Sequence, residues 1–146
     1  MSAADFELHP HLAADTVLIC DLPLSRLLLM DDANWPWLIL VPRRPGLREL
    51  VELARDERIA LGDEIVLASR VLQTRYQPDK LNVAALGNQV EQLHVHVIAR
   101  SRSDSAWPGP VWGSLPALAY APDSRIRLAQ ELAAAVAALR DDPEEL

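Results

Sequence analysis

In the stretch Gln-Leu-His-Val-His-Val-Ile, residues 92–98, two histidines stand one residue apart in an apolar run. On an extended strand alternate side chains share a face. Gln92, His94, His96 and Ile98 then point one way and Leu93, Val95 and Val97 the other, with neighbours in the polar row roughly 7 Å apart. Three readings fit such a row. It can be the wet face of an antiparallel sheet, where histidine is well tolerated. It can offer two imidazoles to zinc, a spacing that His9-Pro10-His11 repeats. Pro10 puts that second pair in an irregular segment, however, and no third ligand is signalled near His94, where zinc takes three or four. It can also be nucleophilic. A free imidazole has a pKa of about 6.5, so its neutral form is well populated near pH 7. Such a nucleophile needs donors for the charge that develops opposite it and a partner that fixes its tautomer. Asn82, Gln89, Gln92 and His96 are donors within the same short region.

The elements around this row must hold it. Apolar runs at 26–30 and 37–41, separated by the turn-rich Asp31-Asp32-Ala33-Asn34, have the spacing of a hairpin of buried strands. Pro42 and Pro45 end the second run and force a corner. Leu47, Leu50, Val51 and Ala54 begin a helical stripe, which Leu61, Ile65, Ala68, Leu72 and Tyr76 continue at spacings of three and four. Asp56 is the expected cap between a short helix and a long one that ends near Gln77-Pro78. Strands at 81–86 and 93–99 follow, joined through Gly87-Asn88-Gln89, a turn suited to a tight antiparallel connection. A Gly/Pro/Ser-rich loop at 101–116 carries Trp107 and Trp112, and Asp123 or Ser124 is placed to cap a last helix at about 124–140. The order strands, helix, strands, helix implies an α+β fold, an antiparallel sheet with a long helix on one face.

Bulk properties narrow the function. A chain of 146 residues fits a single domain, with a core at about 17–116, and 11 dispersed prolines mark no linker. Fourteen basic against 21 acidic residues give a formal charge of -7, the wrong sign for a general nucleic-acid scaffold. The lone Cys20 can make neither an intramolecular disulfide nor a thiolate-rich metal site, and its apolar setting suggests burial. With no signal-like N-terminus and no apolar run of about 18 residues, the expectation is a cytoplasmic protein without membrane contact. No P-loop, G-x-G-x-x-G, G-x-S-x-G or H-E-x-x-H pattern occurs, and the serines of the 101–116 loop have no indicated acid-base partner.

The run from Gly87 to Ile98 resembles the signature of the histidine-triad (HIT) superfamily, His-φ-His-φ-His-φ-φ with φ apolar, preceded by a glycine turn and a polar residue. Asn82 at the start of the preceding strand, Leu-Ile-Leu-Val-Pro at 38–42 and the acidic turn Asp31-Asp32 extend the likeness over roughly 17–100. The resemblance implies a HIT-like sheet of about five strands and a homodimer. It implies hydrolysis or transfer at the α-phosphorus of a purine nucleotide-type small molecule, through a nucleotidyl-histidine and without a metal or other cofactor. His94 matches the family's nucleophile and His96 the third histidine, on the phosphate and leaving-group side. Asp31 or Asp32 matches the ribose-binding residue, and Asn82 and Gln89 match positions that contact phosphate or the bridging atom. Arg100 shares the strand parity of His94 and is expected near the phosphates, whereas Arg43 and Arg44 read as solvated loop charges. The sequence departs from the pattern at Gln92, which replaces the first histidine and cannot titrate. It departs again in the loop before the second strand, which usually ends in histidine and here reads Asn34-Trp35-Pro36-Trp37, and at Pro45, where a histidine often follows the strand's Val-Pro. A catalytically impaired nucleotide-binding module is the alternative these departures raise.

Overall fold

The computed structural model describes residues 5–142 and residue 144. Helix α1 (Pro10–Asp15) leads into strands β1 (Thr16–Asp21), β2 (Ser25–Met30) and β3 (Trp37–Pro42). A 3-10 turn (Leu50–Glu52) precedes the long helix α2 (Arg55–Tyr76), and strands β4 (Lys80–Ala84) and β5 (Val95–Arg100) precede helix α3 (Pro122–Arg140). The five strands form one antiparallel sheet in the order β1-β2-β3-β5-β4, so β3 and β5 are central. This is the α+β architecture expected from the sequence.

Local chemistry sets the element ends. Helix α2 starts one residue before Asp56, with Ala54 at its cap; Glu57 reaches back to accept from the Ala54 backbone N–H at 2.9 Å. It ends at Gln77, whose φ of 49° is left-handed, immediately before Pro78. Helix α3 starts at Pro122 with Ala121 at its cap, two residues before Asp123 and three before Ser124, because proline at the first helical position is already set at a helical φ. The same preference converts the segment expected to be irregular at His9-Pro10-His11 into α1, with the His9 ring accepting from the His11 backbone N–H.

Both faces of the sheet are covered, which removes the reading of the histidine row as a wet face. On one side Leu29, Leu38, Leu40, Val95 and Val97 pack with Leu61, Val71 and Leu72 of α2 and Leu132 and Val136 of α3. On the other, Leu28, Ile39, Val41 and Ile98 meet Leu12 of α1, Trp35, Trp37 and Val111 of the 101–116 loop. Every residue of β3 and of β5 is buried as a result. The turn between β1 and β2 is tied to α2 by the buried Glu64, which accepts from the backbone N–H groups of Leu24 and Ser25 at 2.8 and 3.0 Å.

The connection from β4 to β5 is not the tight hairpin expected at Gly87-Asn88-Gln89. Ala84 pairs with His96, and residues 85–94 leave the ladder. They are held by other partners: the Leu93 N–H donates to the Leu47 carbonyl at 2.9 Å, and the Gln92 side chain binds the N-terminal segment. The excursion hollows the sheet's end where the histidines sit.

Candidate active site

A cavity of about 580 Å³ opens beside that excursion, a volume in the range of small-molecule sites. Its walls come from four parts of the chain. Helix α1 supplies Leu12, Ala14 and Asp15; the β2–β3 turn supplies Asp31 and Asp32; the excursion supplies Gly87, Asn88 and Gln89; the loop after β5 supplies Val111 and Trp112. His94, His96 and Trp37 form its floor. Gly87 has φ +77° and fits this path because it has no Cβ.

Two neighbours give the histidines opposite protonation patterns. His94 Nδ1 lies 2.7 Å from the Gln92 backbone carbonyl oxygen. A carbonyl oxygen has no proton to give, so Nδ1 donates and Nε2 carries the lone pair. His96 Nδ1 lies 2.9 Å from Trp37 Nε1. An indole N–H only donates, so His96 Nδ1 accepts and the proton sits on Nε2. The rings are 4.9 Å apart at 68°, and Trp112 packs edge-on against His96 at 5.1 Å. Burial, reinforced by the adjacent His94, lowers the His96 pKa to about 4. His96 is therefore a neutral donor across the ordinary pH range.

The acidic turn divides its work between two carboxylates. Asp31 is engaged through both oxygens, Oδ1 by the Tyr120 backbone N–H at 2.9 Å and Oδ2 by Arg125 at 2.7 Å. Asp32 accepts through Oδ1 alone, from the Asn34 backbone and side chain at 3.0 and 2.8 Å and from the Leu118 N–H at 3.3 Å. Its Oδ2 receives no bond among the described residues. These contacts tie the start of α3 and the segment before it to the cavity rim.

Three residues expected at the site are placed elsewhere. Arg100 lies four residues beyond His96, roughly 13 Å along a strand. It is 2% exposed and does not line the cavity. Its guanidinium binds both Asp104 carboxylate oxygens at 2.8 and 3.0 Å, Asn82 Oδ1 at 2.8 Å and the Gly109 carbonyl at 2.8 Å, and lies 5.6 Å from the Trp107 ring. The guanidinium holds the Asp104 carboxyl well below the usual carboxylate range. Arg100 and Asn82 thus brace the 101–116 loop from beneath, and parity placed Arg100 on the right face at the wrong depth. Gln92, too, is absent from the cavity walls; its side chain bonds to the backbone at Glu7 and His9. Arg43 and Arg44 are half-buried, the first bound to the Leu22 and Pro23 carbonyls and the second to Glu57.

Trp37 is a partner of His96 that the motif itself does not point to. The register that pairs Ile39 with His96 puts Trp37 on the same face one step away, so strand parity on β3 contained the signal. Helix α1 left a fainter trace, the proline at its first position. Neither Lys nor Arg is among the lining residues, whereas Asp15, Asp31 and Asp32 are. Among the described residues no three His, Cys, Asp or Glu side chains gather closely enough to hold a metal ion.

Comparison with known proteins gives a consistent picture. Residues 11–103 match the model of the HIT domain. A histidine triad protein from Bradyrhizobium japonicum is 46% identical, with 91% of this chain and 96% of that chain covered and a TM-score of 0.84. One from Marinobacter aquaeolei VT8 is 43% identical over 92% and 98%, with a TM-score of 0.88. One from Sinorhizobium meliloti 1021 is 39% identical over 94% and 98%, with a TM-score of 0.87. No match is found among curated proteins.

Proposed function

The chain belongs to the HIT family, and on that premise we propose that it cleaves a nucleotide at the α-phosphorus through a covalent nucleotidyl-histidine on His94. The observation that carries this reading is the pair of opposed tautomers, which gives His94 a lone pair and His96 a proton at the nitrogens facing away from their fixed partners. His94 Nε2 attacks phosphorus in line, and the bond to the leaving group breaks. His96 Nε2–H, with Asn88 and Gln89 on the excursion, holds the phosphoryl oxygens by neutral hydrogen bonds. Losing that proton would make His96 an imidazolate, so it stabilises charge and does not act as the acid; the departing group takes its proton from water. A second water then attacks phosphorus and gives its proton to the hydroxide left by the first; the N–P bond breaks, the mononucleotide leaves and His94 Nε2 recovers its lone pair.

The charge of the cavity selects among substrates. Three carboxylates and no guanidinium or ammonium group line it. A polyphosphate with several negative charges is poorly matched, whereas a nucleoside phosphoramidate carries a single charge at the reacting phosphorus. We therefore favour an adenosine phosphoramidate or aminoacyl-adenylate type of substrate over a dinucleoside polyphosphate. Asp32, with one oxygen uncommitted, is the better candidate for a ribose hydroxyl than the doubly engaged Asp31. A homodimer, as the family resemblance implies, and a cytoplasmic setting, as the character of the sequence suggests, accompany this reading.

The test is mass spectrometry of the full chain quenched during turnover of an adenosine phosphoramidate. An AMP adduct mapping to His94, absent in His94→Ala along with turnover, is the expected result. Undiminished turnover in His94→Ala would refute the mechanism. Calorimetric AMP binding without turnover of any adenylylated substrate would instead identify a nucleotide-binding module.

A further inference from the structure

Gln92 occupies the place of the family's first histidine, yet its side chain does not line the cavity beside His94 and His96 and spends its hydrogen bonds on backbone rather than on either imidazole ring. It does something a histidine could not. Its Oε1 accepts from the His9 backbone N–H at 2.8 Å, and its Nε2 donates to the Glu7 carbonyl at 2.8 Å, so one carboxamide grips the backbone on both sides of Leu8. A carboxamide holds its acceptor and donor side by side on one carbon. The two ring nitrogens of imidazole diverge, so a histidine would reach one of these backbone groups and leave the other.

The clamp acts at both of its ends. At the N-terminal end the gripped segment continues into α1, whose Leu12, Ala14 and Asp15 form a wall of the cavity. At the other end lies residue 92 itself, whose backbone carbonyl accepts the hydrogen bond that His94 Nδ1–H donates. Residues 92–94 precede β5, so that carbonyl lies outside the sheet ladder. The Leu93 N–H bond to Leu47 anchors one side of it, and the carboxamide clamp anchors the residue itself.

We propose that Gln92 is a positioning residue that locks the His94 tautomer through its own main chain by clamping it to the N-terminal segment. The proposal rests on the reading of His94 as nucleophile for its functional meaning, but its test requires no turnover. In ¹⁵N-labelled full-length protein, long-range ¹H–¹⁵N correlations report which ring nitrogen of His94 is protonated, and hydrogen exchange reports the His9 amide. Wild type is expected to show His94 protonated at Nδ1 and a protected His9 amide. In Gln92→Ala, His9 protection falls about tenfold or more, the loss expected for two hydrogen bonds, and the Nε2-protonated form of His94 becomes populated. Gln92→Glu keeps the size and the acceptor but sets a carboxylate oxygen against the Glu7 carbonyl, and it shifts both readouts the same way. This variant serves if Gln92→Ala does not fold. An unchanged His94 tautomer in the folded variants overturns the proposal, even with His9 protection lost, because the side chain would then hold the segment and nothing more. Failure of the nucleotide reading has a separate signature, undiminished turnover in His94→Ala.

Discussion

His94 and His96 carry the same ring, and their neighbours load them in opposite senses. The carbonyl of Gln92 forces a proton onto Nδ1 of one, and the indole of Trp37 keeps it off Nδ1 of the other. Trp37→Phe retains the ring packing and removes the donor. We expect kcat to fall about tenfold, as for other residues that orient a catalytic ring, and denaturant titration to show a loss of about 1 kcal/mol. Burial of neutral His96 also makes stability depend on pH. Folded His96 takes up a proton only near pH 4, whereas the unfolded chain takes it up near 6.5. The unfolded state therefore binds more protons in between, and the contribution is complete above 6.5 and lost as pH falls towards 4, on the order of 3 kcal/mol. Chemical denaturation between pH 4 and 7 should show this slope, and it should flatten in His96→Asn, which keeps an acceptor for Trp37 without titrating.

At the scale of elements, the loop after β5 reaches the site because of a residue that never touches it. Arg100 binds Asp104, Gly109 and Asn82 beneath the loop, and the loop then brings Val111 and Trp112 over His96. Arg100→Met leaves the Asp104 carboxylate without its cation, and a fall of about 3 kcal/mol in unfolding free energy is expected, as for other broken buried ion pairs. A rise in KM should accompany it as Trp112 loosens. How much of this was legible depended on the range of the causes. The runs at 26–30 and 37–41, the long helical stripe and the face shared by His94 and His96 all follow from local periodicity, and the structure has them. The excursion at 85–94 and the second cover over the sheet do not. Each is fixed by partners 45 or more residues away, as when Leu93 bonds to Leu47, or by a loop whose path depends on a buried ion pair. A glycine followed by two amides looks the same whether it closes a hairpin or opens a cavity.

Over the whole molecule, sign of charge is the dominant feature. The chain carries a formal -7, and the cavity adds carboxylates without a lining cation. An anionic substrate therefore approaches against the field, and screening should help it. We expect kcat/KM for an adenosine phosphoramidate to rise between low and physiological ionic strength, the reverse of an electrostatically steered enzyme; stopped-flow or steady-state assays across a salt series will measure it. No helix among the described residues is long and apolar enough to cross a membrane. Three of the chain's four tryptophans gather at the same end of the sheet: Trp35 against Trp37 at 6.5 Å, and Trp37 and Trp112 at 5.6 and 5.1 Å from His96. Indole emission responds to nearby charge and to displacement of water, so the protein has a built-in optical reporter of its own cavity. Titration with AMP should change that emission in the His94→Ala variant as in the wild type, separating occupancy from chemistry without a label.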